Sequence, residues 1–251
     1  MREDNKKDEL IVGKNSVIET LSTGRAIGSI MISKSHSSKR IREIIFLASK
    51  AKIPIKMVEN KKLSLLCQSD KHQGVVALAS AKNYNSLQDI LDYAKLKNEP
   101  EFIVICDCIE DPHNLGAIIR TSECVGAHGV IVPQRRSAAL SATVRKTSAG
   151  ALEHTMVARV TNLVTTVNEL KRRGIFVYGA DMCGKAFWKK WVNLSGPIAL
   201  VVGNEGRGIK KLLKEQCDDL LSVPINGKTQ SLNASVACGI LLYEIARSRN
   251  F

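Results

Sequence analysis

Three polar stretches interrupt the apolar runs of this chain, and their residue types define the chemistry available. The first is Asp111-Pro112-His113-Asn114-Leu115-Gly116, running into Ala117-Ile118-Ile119-Arg120. The second is Val202-Gly203-Asn204-Glu205-Gly206-Arg207-Gly208. The third is Pro224-Ile225-Asn226-Gly227, followed by Ser231-Leu232-Asn233-Ala234-Ser235. Each follows a strand-like run, and in open parallel sheets ligands bind beyond the carboxyl ends of strands. Gly203 and Gly206 would let a ligand approach the backbone closely. The second stretch is neither Gly-x-Gly-x-x-Gly nor a loop ending in Gly-Lys-Ser/Thr, so neither dinucleotide nor Walker-type phosphate binding is indicated. His113 has no partner at metal-ligand spacing, and His36, His72, His128 and His154 are scattered. No Ser-His-Asp arrangement is readable, which leaves hydrolysis unsupported. Asn114, Arg120, Glu205, Ser231 and Asn233 remain as the polar side chains of interest. Ser231 also reads as the N-cap of the last helix.

These stretches need a scaffold of alternating strands and helices. Phe102–Ile109, Gly129–Pro133, Met156–Val160, Phe176–Asp181, Ile198–Gly203 and Leu221–Ile225 read as strands. Asn114–Val125, Leu140–Ala151, Leu163–Arg173, Ile209–Cys217 and Leu232–Arg249 read as helices. The strands are mostly unbroken apolar runs, as expected when helices cover both faces of a mainly parallel sheet. Upstream lies a smaller α/β unit. Its helices are predicted at 12–21, 38–52 and 63–67, and its strands at 29–32, 55–58 and 74–79. Pro54 ends the second of these helices. The more polar residues 81–100 read as a linker with a short helix around Leu87, Ile90 and Leu91. The expected organisation is therefore a small α/β domain at 1–80, a linker at 81–100 and a larger parallel-sheet domain at 101–251; the resemblance given below makes the first RNA-binding and the last catalytic.

The RNA expectation starts from charge. Among 251 residues, 37 Lys and Arg stand against 24 Asp and Glu, a net +13 that favours a polyanionic partner. Residues 1–82 carry 16 basic and 8 acidic side chains, against 21 and 16 in the remaining two thirds. The N-terminal third thus reads as the part that grips phosphate. Aromatics are only 4%, so stacking of bases on an aromatic platform is not advertised. The seven cysteines are odd in number and include no Cys-x-x-Cys pair, which argues against a disulfide framework or zinc site. Cys106 and Cys108 read as small strand residues. No apolar run is long enough for a membrane span, and the charged N-terminus lacks secretory character, so the expected location is the cytoplasm.

Together the three stretches resemble the three motifs of the SpoU (TrmH-like) branch of the SPOUT RNA 2′-O-ribose methyltransferases. The first motif runs from Asp111 to Arg120. The second is Leu200-Val201-Val202-Gly203-Asn204-Glu205-Gly206. The third is Val223-Pro224-Ile225 with Ser231-Leu232-Asn233-Ala234-Ser235-Val236-Ala237. One such motif is weak; three in order are highly specific. The segments Gly13–Leu21 and His72–Ala77 resemble the family's ribosomal-protein-L30-like RNA-binding domain, with Asn15 where members often carry histidine. Within the family, the RlmB type is most similar. It modifies a guanosine in the peptidyl-transferase loop of 23S rRNA.

The resemblance implies a deep trefoil knot in the C-terminal domain, which general connection rules would argue against. It also implies S-adenosylmethionine as cofactor, 23S rRNA as partner and a homodimer through the C-terminal domain. By the same resemblance Arg120 contacts the acceptor ribose or its phosphate. Arginine is effectively always protonated, so its role is electrostatic rather than that of a base. Asn114 would orient Arg120 or the ribose, Glu205 would hold Arg120, and Ser231 and Asn233 would complete the pocket. Loops around Gly203, Ile225 and Leu232 would meet the adenosyl group. Competing readings are a tRNA ribose methyltransferase, a non-catalytic ribosome-assembly factor and a nucleotide-dependent oxidoreductase. The missing dinucleotide fingerprint counts against the last.

Overall fold

Backbone proximity sorts the chain into two units in the computed structural model, which describes residues 9–23, 27–79, 83–189, 192–229 and 231–249. The first unit holds the described residues up to Asn83 together with Leu140–His154. The second holds Tyr84–Ala139 and the described residues from Thr155 onward.

The first unit begins β1 (Glu9–Val12), α1 (Lys14–Ser22), β2 (Ile27–Ser33), α2 (Lys39–Lys50), β3 (Ile55–Val58), α3 (Asn60–Cys67) and β4 (Val75–Ala79). The sheet order is β1-β4-β2-β3, with β4 antiparallel to both neighbours and β2 parallel to β3. Helix α2 presents Ile41, Ile44 and Ala48 on one buried stripe, and Ser38 caps it by accepting from the Ile41 N–H. Ile11, Val17, Ile30, Ile44 and Val75 meet in the core. Strand β1 is absent from the sequence reading. It has four residues, and its antiparallel pairing with β4 makes it a strand.

In the second unit α4 (Leu87–Lys97) precedes β5 (Phe102–Cys106), α5 (Pro112–Cys124) and β6 (Gly129–Pro133). The chain then contributes α6 (Ala142–Thr147) and α7 (Ala151–His154) to the first unit. It returns with β7 (Val157–Val160), α8 (Leu163–Arg172), β8 (Phe176–Ala186), β9 (Ile198–Val202), α9 (Lys211–Lys214), β10 (Asp219–Ser222) and α10 (Ala234–Ser248). All pairings in this six-stranded sheet are parallel, in the order β10-β8-β9-β5-β6-β7. Strands β5, β6 and β9 are buried along their whole length, matching their unbroken apolar sequences. From β5 the chain steps outward to β6 and β7, then crosses to β8 and returns to β9. The crevice between the carboxyl ends of β5 and β9 is therefore the switch point where such sheets bind ligands.

Three expectations are corrected. The supposed linker contains an eleven-residue helix, α4, with a Ser86/Asp89 capping box, and it packs Ile90, Leu91 and Ala94 inward. Ile90 and Leu91 belong to the same core as Ile103, Ile131 and Val201, so this segment is part of the second unit. The expected boundary at residues 80 and 81 lies outside the described residues. The helix predicted over 140–151 is broken by Ala149 and Gly150, with φ of 53° and 101°, and both pieces leave the unit of their sequence neighbours. A buried Arg145–Glu153 ion pair ties the two pieces to each other, while packing of α6 on β1 and a 2.5 Å contact between His154 and Glu19 hold them in the first unit. Finally, β10 ends at Ser222 and α9 spans only Lys211–Lys214, which frees residues 203–210 and 223–233 as loops. Among the described residues no helix is long and apolar enough to cross a membrane.

Because Ile90 is fully buried, Ile90→Ala should cost about 2–5 kcal/mol, the range for truncating a core aliphatic side chain. Urea unfolding followed by circular dichroism measures this. A loss below about 0.5 kcal/mol, the size of an ordinary surface substitution, would return α4 to the status of a linker.

Candidate active site

Asp111 builds the first wall of the site. Its carboxylate accepts from the His113 N–H at 3.0 Å and the Asn114 N–H at 3.3 Å, and Pro112 opens the helix behind it. This cap fixes Asn114 in the first turn of α5, where it is buried. The Asn114 amide donates to Glu205 Oε1 at 2.8 Å, and its oxygen accepts from Asn233 Nδ2 at 3.0 Å. Asn233 Nδ2 also donates to Glu205 Oε1. One residue from each of the three polar stretches thus joins in a single cluster.

Asn233, rather than Ser231, caps α10. Its Oδ1 accepts from the Ser235 N–H at 2.9 Å and the Val236 N–H at 3.3 Å. The helix begins at Ala234, two residues later than expected, which puts Asn233 in the cap position. Ser231 lies exposed on the wall of the adjoining cleft.

The loop after β9 is held from both sides. A Cβ on Gly203 would lie 2.1 Å from the Gly208 carbonyl carbon and 2.3 Å from the Ile209 nitrogen. Gly203 is therefore required by the close crossing of the chain over itself, a different reason from ligand approach. Asn204 and Gly208 exchange backbone bonds at 3.1 and 2.8 Å, and Asn204 Nδ2 donates to the Cys108 carbonyl at 3.1 Å. Buried Asp107 accepts from the Lys210 N–H at 2.8 Å and pairs with its ammonium at 3.5 Å. Cys108 itself turns left-handed just after β5, so it is not a strand residue. Burial pushes the Cys106 thiol up to about 12, which leaves it an inert packing group.

A cleft of about 210 Å³ opens beside this loop. Gly203, Ile225 and Leu232 line it, with Ser231, Glu205 and the apolar Leu221. A register shift between β8 and β10 lets Ala180, Asp181 and Met182 turn into the same cleft. Burial alone would raise the Asp181 carboxyl. The Lys214 ammonium at 2.7 Å and the Cys183 N–H hold it below the usual carboxylate range instead.

Arg120 stands apart from the cluster. It is exposed and makes no hydrogen bond or ion pair among the described residues. Six residues beyond Asn114, it points about 120° away around the helix. The expected Glu205–Arg120 contact is thus replaced by contacts of Glu205 with the two asparagines. Sequence reasoning also passed over Asp107, Asn204 and Asp181. The available signal for Asp107 and Asp181 was an acidic residue at the end of an apolar strand.

Residues 101–243 match the model of the SpoU rRNA Methylase family, and residues 10–85 match that of RNA 2′-O ribose methyltransferase substrate binding. The chain belongs to the SpoU rRNA methylase family. A Bacillus subtilis (strain 168) protein assigned by name to the TrmH family of tRNA/rRNA methyltransferases is 46% identical over 244 residues, covering 96% of each chain. The SpoU methyltransferase AviRb from Streptomyces viridochromogenes, solved with AdoMet, shares the fold. Its TM-score is 0.76 at 23% identity, over 97% of this chain and 91% of that one. The A. aeolicus TrmH/SpoU tRNA modifying enzyme is 31% identical with a TM-score of 0.54, over 61% of this chain and 77% of its own. The matched region 101–243 contains the three stretches that the Asn114–Glu205–Asn233 cluster joins.

Asn233→Asp separates the cap from the cluster. Aspartate caps a helix as well as asparagine does, but it places a second carboxylate against Glu205. The substitution should cost about 1.5 kcal/mol, modest because Glu205 is exposed. Adding Glu205→Gln should restore most of that stability, because its amide supplies a donor to the introduced carboxylate. Urea unfolding of the two variants at neutral pH checks this: a single variant as stable as wild type would mean that the cluster contributes nothing, and an unrecovered double variant would mean that the loss does not come from the Glu205 carboxylate.

Proposed function

We propose that this chain methylates the ribose 2′-oxygen of a guanosine in the peptidyl-transferase loop of 23S rRNA, using S-adenosylmethionine. The observation that carries the reading is the Asn114–Glu205–Asn233 cluster beside the cleft walled by Ile225 and Leu232. The cleft suits the cofactor: apolar side chains offer a face to a flat purine, and the Gly203–Gly208 loop offers backbone groups to its edge. When bound, the cofactor supplies a methyl group on a cationic sulfonium, which is a good leaving group.

The chain's own task is to hold a ribose hydroxyl in line and to help remove its proton. Glu205 Oε1 is engaged by two amides, which fixes the carboxylate and leaves Oε2 directed elsewhere. Asn114 and Asn233 set that orientation, and Ser231 adds a hydroxyl to the cleft wall. Arg120 meets the acceptor ribose or its phosphate. It stabilises the developing alkoxide or lets the RNA phosphate take the proton. Its freedom from partners among the described residues is what such an intermolecular role requires.

A homodimer through α10 belongs to the same reading. Leu241, Leu242 and Ile245 are buried, whereas Val236, Ile240 and Tyr243 share a separate exposed face, 50%, 36% and 53% accessible. A trefoil knot in the second unit and a ribosomal-protein-L30-like first unit complete the proposal, with the cytoplasm as location. The substrate-binding match over residues 10–85 supports the role of the first unit. A tRNA ribose is the second reading. It is favoured by the B. subtilis relative, whose name covers both RNAs, and by the A. aeolicus tRNA modifying enzyme. Mapping 2′-O-methyl sites in rRNA and tRNA, with and without this protein, decides between them. No change in either RNA would leave a non-catalytic assembly factor.

Arg120→Ala should lower single-turnover methyl transfer about 100- to 1000-fold, while calorimetric affinity for S-adenosylmethionine stays near wild type. Arg120→Lys should also be poor, because a point charge does not reproduce a planar fork. Wild-type transfer by the alanine variant would sink this mechanism. Light scattering at micromolar concentration should give twice the mass of one chain; a monomer would refute the dimer.

A further inference from the structure

The second unit carries a second concavity on the other side of the 203–210 loop. Two adjoining hollows, of about 420 and 620 Å³, share Arg136 and Lys210. They lie past the carboxyl ends of β5, β6 and β7. Arg135 lines one, Arg207 the other, so four cations face this groove. Its acids are Glu110 and Asp107, and Asp107 is already engaged by Lys210. Arg135 and Arg136 are exposed and form no ion pair among the described residues. Arg136 has φ of 59°, left-handed backbone that arginine seldom adopts, and Cys108 and Gly208 in the same groove have φ of 57° and 64°.

The groove and the cleft beside the cluster have the 203–210 loop as a common wall. Asn204, Arg207 and Gly208 line both. A ligand reaching from the Asn114–Glu205–Asn233 cluster past this loop enters a channel of guanidinium and ammonium groups. Four cations along two linked hollows exceed what a single small anion needs, and they suit a chain of phosphates. Guanidinium groups bind phosphate oxygens through paired N–H donors without reading base identity.

We propose that this groove binds the phosphates of nucleotides flanking the acceptor ribose, with Arg135 and Arg136 as its principal contacts. It rests on the methyltransferase reading for the location of that ribose. RNA binding is then divided: the substrate-binding unit takes one part of the RNA, and this groove holds the strand at the reacting nucleotide. Arg135 and Arg136 are positioning residues.

The test uses the full-length protein and a fluorescein-labelled 12-nucleotide single-stranded RNA of mixed sequence, followed by anisotropy from 50 to 300 mM salt. Arg135→Gln/Arg136→Gln should weaken binding about tenfold near 100 mM salt. It should also flatten the slope of log K against log salt by about 1.4, roughly 0.7 for each phosphate that is no longer neutralised. A control that removes two exposed charges from α4, Lys95→Gln/Lys97→Gln, should leave the slope unchanged. Melting temperature and S-adenosylmethionine affinity should match wild type in both variants, since neither pair lines the cofactor cleft. An unchanged slope in the arginine pair, or an equal drop in the lysine pair, would overturn the groove. If the arginine pair alone flattens the slope but wild-type protein methylates no rRNA or tRNA, the groove survives and the proposed function falls. If the arginine pair methylates with wild-type rate and RNA affinity, the groove falls and the function stands.

Discussion

Asn114 spends both ends of its side-chain amide on residues 91 and 119 positions away. A carboxamide suits this place, because one end must donate to a carboxylate and the other must accept from a second amide. An aspartate there would set two carboxylates against each other. A leucine would leave the polar ends of Glu205 and Asn233 without this partner. The cluster in turn depends on local devices. The Asp111 cap fixes where Asn114 points, and the α10 N-terminus fixes Asn233 by engaging its oxygen and leaving its nitrogen for the cluster. Two helix starts and one loop become a single polar joint.

The loop between β9 and α9 is the other half of the construction. Gly203 lets the chain pass within contact of Gly208 and Ile209, and Asp107 anchors its far end through Lys210. A loop held this way has two usable sides. One faces the apolar cleft that suits an adenosyl group. The other faces a groove of arginines and a lysine that suits RNA phosphate. In the proposed function, cofactor and acceptor would meet across this one short segment, which its own backbone bonds between Asn204 and Gly208 hold in shape.

Charge is distributed in keeping with that arrangement. The first 82 residues carry the larger excess of basic side chains. The second unit has a smaller excess, but Arg135, Arg136, Arg207 and Lys210 converge on one groove beside the site. A diffuse excess raises affinity for any polyanion, whereas converging cations determine where on the protein the phosphates come to rest.

Amino-acid sequence alone determined the parallel sheet, because strands buried on both faces must be apolar throughout, and β5, β6 and β9 carry that pattern in their residues. It also marked Asn114, Glu205 and Asn233, since polar residues at the ends of such strands stand out against their surroundings. Gly203, Ile225 and Leu232 were named only through the family resemblance, since a glycine and two apolar residues do not stand out in an apolar strand and its flanks. Tertiary structure decided the pairings. Glu205 meets two asparagines instead of Arg120 because contacts across 91 and 28 residues depend on how the loops close, which no local pattern encodes. It decided that residues 142–154 leave their neighbours, since the packing of α6 on β1 and the Glu19–His154 contact outweigh chain adjacency. It decided that α4 is core, because the apolar face of a short helix acquires meaning only against the sheet that covers it. And it gathered Arg135, Arg136, Arg207 and Lys210 into one groove, because convergence of charge is a property of space and sequence records only its order along a line.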